Sequence, residues 1–149
     1  MEYVMKKDEF IISDDQDKID SNYVHSFLTA SYWSPGVPLQ TVKKAMEGSL
    51  SFGVYLSGHT ETQVGYARMV TDKATFAWLA DVFIDESYRG KGLGKWLVLS
   101  ILAHPDVQGL RRILLATKDA HKLYEQAGFT ALNNPERFMV YNPTGYKSK

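Results

Sequence analysis

Two hydrophobic periods alternate along this chain, and their order predicts its elements. Phe10-Ile11-Ile12-Ser13, followed by the polar Asp14-Asp15-Gln16-Asp17, reads as a first strand ending in a turn. Val24, Phe27, Leu28 and Ser31-Tyr32 then recur at i, i+3 and i+4 behind the capping oxygens of Asp20-Ser21-Asn22. A first helix is expected there, ending near Trp33 because Pro35-Gly36 cannot continue it. A second short helix is expected from Pro38 to Glu47, with Val42, Ala45 and Met46 inward and Gly48 past its last turn.

Three β-rich runs follow, Ser51 to Leu56, Gln63 to Thr71 and Thr75 to Ile84. The short turns at Ser57-Gly58 and Thr71-Asp72-Lys73 make them antiparallel neighbours. A helix from Gly92 to about Leu102 leads into a strand from Arg112 to Ala116, and strand–helix–strand implies a right-handed parallel crossover. The last helix, Ala120 to Gln126, stops at Gly128, leaving Phe129 to Leu132 and Arg137 to Tyr141 as closing strands. The result is an α+β architecture, a mixed and mostly antiparallel sheet with helices on both sides.

Composition narrows the function classes. With 149 residues and 44% hydrophobic content, the chain suits a single domain spanning 1–149, with 142–149 expected to fray. Seventeen basic and seventeen acidic residues cancel, which offers no bulk attraction to nucleic acid or to an anionic membrane. No cysteine is present, so a disulfide framework, a thiolate metal site and an acyl-cysteine intermediate are all excluded. No apolar run approaches the ~18 residues of a spanning helix, and the first nine residues lack a signal peptide's apolar core. A cytoplasmic location is expected.

The chemistry concentrates in Tyr88-Arg89-Gly90-Lys91-Gly92-Leu93-Gly94-Lys95, set between an apolar strand and a helix. Alternate glycines let successive N–H groups converge on one oxyanion at a helix mouth. A nucleoside triphosphate loop, G-x-x-x-x-G-K-[ST], does not fit: Gly90 to Gly94 is one residue short, and Trp96 stands where a hydroxyl is needed. Nor does G-x-G-x-x-G, because Lys95 or Leu97 occupies the third glycine position. What remains, Arg89-x-x-Gly92-x-Gly94, resembles the coenzyme A loop of the GNAT family of N-acetyltransferases.

That family's second signature, N-x-x-A-x-x-L-Y-x-x-x-G-F, is similar to Thr117-Lys118-Asp119-Ala120-His121-Lys122-Leu123-Tyr124-Glu125-Gln126-Ala127-Gly128-Phe129. Only the first position departs, where Thr117 replaces asparagine. The two motifs span Asp81 to Phe129; the N-terminal third matches in its pattern of elements alone. The resemblance implies the GNAT fold, whose one parallel strand pair splays to admit acetyl-coenzyme A.

It also implies roles. The N–H groups of Arg89, Gly90, Lys91, Gly92, Leu93 and Gly94 would bind the pyrophosphate, with Lys95 adding charge, although Arg89 has a packing role as its alternative. The backbone of Val82, Phe83 and Ile84 would pair with the pantetheine arm, and one N–H there would face the thioester oxygen, while the side chains serve the core. Tyr124 would protonate the departing thiolate, against the plainer reading of a packed ring. Thr117, with a shorter side chain than asparagine, makes a doubtful cofactor contact. Asp119 reads as the N-cap of the last helix.

For the acceptor side, an alkylammonium of pKa near 10.4 must lose a proton before attack, and Asp81 is the candidate for holding or deprotonating it. An equal alternative makes Asp81 a structural partner at the splay. Tyr32 and Trp33 either wall the amine site or close the core. His25, His104 and His121 read as helix-surface residues, and no metal site is expected. The expected activity is direct transfer of acetyl from acetyl-coenzyme A to a primary amine, on a small molecule or a peptide. A non-catalytic acyl-coenzyme A-binding regulator and a protein lysine or N-terminal acetyltransferase stay open as alternatives, as does a homodimer.

Overall fold

The computed structural model describes residues 2–58 and 62–144. Its elements are β1 (Val4–Lys7), β2 (Phe10–Ser13), α1 (Ser21–Thr29), α2 (Leu39–Glu47), β3 (Leu50–Leu56), β4 (Thr62–Thr71), β5 (Phe76–Ile84), α3 (Leu93–Leu102), β6 (Arg112–Leu114) and α4 (His121–Gln126). The six strands form one sheet in sequence order, antiparallel from β1 to β5 and parallel between β5 and β6. This is the mixed sheet that the alternation predicts, with β1 added at one edge. β1 escapes a pattern reading because Val4-Met5-Lys6-Lys7 is mostly exposed and half charged.

Each face of the sheet carries a helix pair. α1 and α2 cover one face through Val24, Leu28, Val42 and Met46, which pack with Tyr66 and Phe83. α3 covers the other through Leu93, Leu97, Val98 and Ile101, packed on Phe52, Val54, Ala67, Met69 and Leu79. The Asp20 carboxylate caps α1, accepting from the N–H groups of Asn22 (3.0 Å) and Tyr23 (3.1 Å), an arrangement worth about 1 kcal/mol. α1 ends at Thr29, four residues before the expected Trp33. Ser31 there turns its hydroxyl back to the Leu28 carbonyl (2.7 Å) while accepting from the Ser34 N–H (3.1 Å), which closes the helix in a turn.

Three further expectations are corrected. The closing strands at Phe129 to Leu132 and Arg137 to Tyr141 do not form; a short 3-10 turn, Pro135–Arg137, lies between irregular segments. Alternation marks residues able to pair, and among the described residues no strand lies beside them. His104 is buried, not on a helix surface: its Nε2 meets the Asp14 carboxylate at 2.9 Å and its ring packs against Tyr3 and Phe52. Asp119 does not cap α4. Ala120 holds the cap position, and the Thr117 hydroxyl accepts its N–H at 3.1 Å. Of the tail expected to fray, 145–149 lie outside the described residues.

Candidate active site

The site begins with a fault in the sheet. Tyr66 pairs with Phe83 and Arg68 with Ala80, so Ala67 of β4 faces two residues of β5, Asp81 and Val82. This is a bulge, and Asp81 takes it up with a φ of 56°, in the left-handed region that aspartate tolerates better than most residues. Close by, β5 and β6 part company. They pair only from Phe76 with Arg112 to Trp78 with Leu114, after which β5 runs on to Ile84 paired with β4 but with no strand on its β6 side. The parallel pair therefore opens into a cleft along Leu79 to Ile84, with backbone polar groups on its β5 side.

The glycine loop closes one end of that cleft. Asp85 turns the chain by accepting the Ser87 N–H (3.0 Å), and Gly90 (φ 81°) and Gly92 (φ 78°) adopt conformations that other residues resist. Gly92 then caps α3, leaving the N–H groups of its first turn directed out of the helix. Gly94 sits within that turn, where a Cβ would meet Leu123 of α4 at 3.7 Å, an ordinary contact distance. Arg89 donates from Nε to the Ile84 carbonyl (3.1 Å), binding loop to strand as in the packing alternative. Lys7 of β1 brings its Nζ to 3.9 Å from where a Cβ on Gly92 would lie. This fourth cation beside Arg89, Lys91 and Lys95 comes from a hairpin far away in sequence and has no local signal.

Tyr124 lies on α4 and lines two large cavities. Its ring is buried and meets Phe129 edge-on, with centroids 5.8 Å apart. Burial, then the neighbouring Tyr32, pushes its phenol pKa up to about 12, so the hydroxyl stays protonated at any physiological pH. Thr117 spends its hydroxyl on the start of α4.

On the far side of Tyr124, the second cavity, of about 570 Å³, is lined by Tyr32, Trp33, Arg68, Trp78, Asp81 and Asp119 among others. Tyr32 and Trp33 are 52% and 40% exposed, and so wall this cavity instead of closing the core. Tyr32 accepts the Lys118 N–H at 3.2 Å, and Trp33 donates its indole N–H to Asp81 at 3.0 Å. The other Asp81 oxygen takes a charge-assisted bond from Arg68 Nε at 2.6 Å, while Arg68 also reaches the Ser49 hydroxyl (3.2 Å). Arg68 is the residue that sequence reasoning missed; it pairs with Asp81 only through the β4–β5 register. Asp119 lines the same cavity and has no hydrogen bond or ion pair among the described residues.

No cluster of three or more metal-ligating side chains occurs among the described residues, and no helix there is long and apolar enough to cross a membrane.

A sequence model of the acetyltransferase (GNAT) domain matches residues 50–131, which is β3 through the end of α4 and beyond. The chain belongs to the GNAT acetyltransferase family. A Xanthomonas campestris protein assigned by name to this family has a crystal structure that superposes with a TM-score of 0.86, at 40% identity over 94% of this chain and 97% of that one. A Gibberella zeae protein named as an acetyltransferase is 29% identical over 136 residues, covering 78% of this chain and 76% of the relative. The GNAT fold is shared at greater distance with an Elizabethkingia anophelis acetyltransferase solved with acetyl-CoA bound. That pair is 12% identical with a TM-score of 0.62, over 83% of this chain and 78% of the other.

Proposed function

We propose that this GNAT protein is an acetyl-coenzyme A-dependent N-acetyltransferase that transfers acetyl directly to the primary amine of a small molecule. The observation that carries the proposal is that the bulge at Asp81–Val82 and Tyr124 line one cavity, while the Gly90–Gly94 loop follows the unpaired end of β5 and leads into α3. Each part suits one part of the donor. Four cations and the α3 N-terminus suit a pyrophosphate, and the free β5 edge suits the amide-bearing pantetheine arm, as an added strand would. A fixed N–H at the bulge would stabilise the oxyanion that forms when the amine attacks, by roughly 3 kcal/mol. With no cysteine in the chain, direct attack is the economical route.

The acceptor cavity, about 570 Å³ and walled by Tyr32, Trp33 and Trp78, is in the size range of small-molecule sites. That supports a small amine over a peptide, and its aromatic walls suit an ammonium through cation–π contact. The test is release of free thiol from acetyl-coenzyme A in the presence of a panel of primary amines. Turnover with at least one small amine is expected; saturable acetyl-coenzyme A binding with no turnover on any amine or peptide would leave the regulator reading instead.

Within this reading the two aspartates divide the work. Asp81, neutralised by Arg68 and held by Trp33, maintains the bulge, while Asp119, unpaired at the same cavity, meets the incoming ammonium. Asp81→Asn should strand a partly buried guanidinium and lower stability by about 2 kcal/mol, a fall of roughly 4–8 °C in Tm. Asp119→Asn should leave Tm unchanged and raise the acceptor KM about tenfold, with no change in coenzyme A affinity. Thermal melts and acceptor titrations on both variants decide it, and the reverse pattern would return the base to Asp81.

A further inference from the structure

The acceptor cavity carries more charge than a plain amine requires. Its charged lining residues are Arg68, Asp81, Lys118 and Asp119, two of each sign. A pocket for an ammonium alone is best served by an excess of carboxylate, because a neighbouring Arg or Lys repels the same cation that the acid attracts. Cations at this cavity need another partner.

Arg68 shows what that partner must be. Arginine and carboxylate commonly meet fork to fork, through two parallel N–H···O bonds. Here they do not. Asp81 gives Oδ2 to Arg68 Nε (2.6 Å) and Oδ1 to the Trp33 indole (3.0 Å), so a single N–H of the guanidinium reaches it. A second, on Nη1, goes to the Ser49 hydroxyl (3.2 Å). A guanidinium has five such groups, and Nη2 of Arg68 makes no hydrogen bond among the described residues although it is not sealed from solvent. Held at Nε and Nη1, the planar group is fixed in orientation, and its remaining N–H groups suit a second carboxylate. Lys118, in the loop between β6 and α4, is a further cation at this cavity. Its Nζ lies 5.5 Å from the Tyr32 ring centroid and has no carboxylate partner among the described residues.

We propose that the acceptor is an amino acid, a small molecule with a carboxylate beside its primary ammonium, and that Arg68 receives the carboxylate while Asp119 receives the ammonium. This rests on the acetyl-transfer reading above and on Asp119 as the partner of the ammonium. Charge favours a carboxylate over a phosphate or phosphonate. The four charges of the lining sum to zero, which a zwitterion matches and a group with two negative charges does not. Trp33 and Trp78 supply apolar surface for the acceptor's side chain.

The test compares alanine, leucine and phenylalanine with their decarboxylated amines, their carboxamides and their 1-aminophosphonate analogues. Binding to the coenzyme A-loaded protein is measured by calorimetry, and thiol release from acetyl-coenzyme A is measured alongside. Affinity is the deciding readout, because the carboxylate also changes how much of the amine is unprotonated. At least one amino acid should bind at least about tenfold more tightly than its amine, its carboxamide and its phosphonate, as expected for a charge-assisted pair. Arg68→Lys keeps a cation for Asp81 but loses the fork, and the preference for amino acid over amine should shrink to within about threefold. Equal or tighter binding of the amine, carboxamide or phosphonate in every set overturns the proposal while leaving acetyl transfer standing. So does a folded Arg68→Lys protein with the preference intact, or the absence of any amino acid binding. Amino acids that bind with this preference but release no thiol would refute acetyl transfer and sustain the amino acid site.

Discussion

Gly92→Val is expected to lower coenzyme A affinity by at least about 100-fold while the protein remains folded. Gly92 has a φ of 78° and lies exposed at the cap of α3, so a β-branched residue there is strained by about 1–2 kcal/mol. That strain is small against the stability of a domain of this size. The loss in binding has another origin. Relaxing φ rotates the peptide units on either side and points their N–H groups away from a common focus, and the added side chain stands within reach of Lys7 Nζ, 3.9 Å from the Cβ position. The pyrophosphate would then lose both convergent donors and a cation. Gly109 supplies the control, since it too has a positive φ (81°) and open space around it but lies in the turn between α3 and β6. Calorimetry with coenzyme A on both variants separates strain from recognition. Gly109→Val should bind normally, and a folded Gly92→Val protein that also binds normally would refute the cradle.

How much of this was legible in the chain follows the range of the interactions. The glycine loop and the Tyr124 helix are local: turn, cap and helix are set by residues within a dozen positions of one another, so motif spacing carries them. The bulge site is different. Asp81 can be singled out as the one carboxylate in its strand, but its condition depends on Arg68, thirteen residues away, and on Trp33, forty-eight away. Those partners meet only once β4 and β5 have registered and α1 has docked on the sheet. A pattern of apolar positions encodes which face a residue takes, not which charge it meets there. The same limit hid Lys7 and the contact of His104 with Asp14, which joins residues ninety positions apart. The C-terminal misreading has a different cause. The pattern of Arg137 to Tyr141 does describe a segment suited to a sheet, but alternation says nothing about whether a strand lies beside it.

Tyr124→Phe should reduce turnover about 100-fold with little change in acetyl-coenzyme A affinity, because it removes a hydroxyl and keeps the buried ring that packs on Phe129. The raised pKa decides how the hydroxyl acts. With the phenol at about 12 and a thiol near 8.5, complete proton transfer to a free thiolate is uphill by roughly 5 kcal/mol. Tyr124 therefore helps most while the carbon–sulfur bond is breaking, when charge first gathers on sulfur, and gives less once the thiolate is free. The sign of the pH effect follows. A group whose pKa is raised by burial remains protonated until pH approaches the raised value, so the acid form persists to about 12, about two units past an ordinary tyrosine. The wild-type rate should climb with pH as the acceptor amine loses its proton. The ratio of wild-type to Tyr124→Phe turnover should stay level from about pH 7 to about pH 10.5, because the hydroxyl stays in its working form throughout. Turnover measured across that range for both proteins gives the answer. A ratio falling toward one by about pH 10 would mean an ordinary, solvent-facing phenol, and a ratio near one everywhere would reduce Tyr124 to packing.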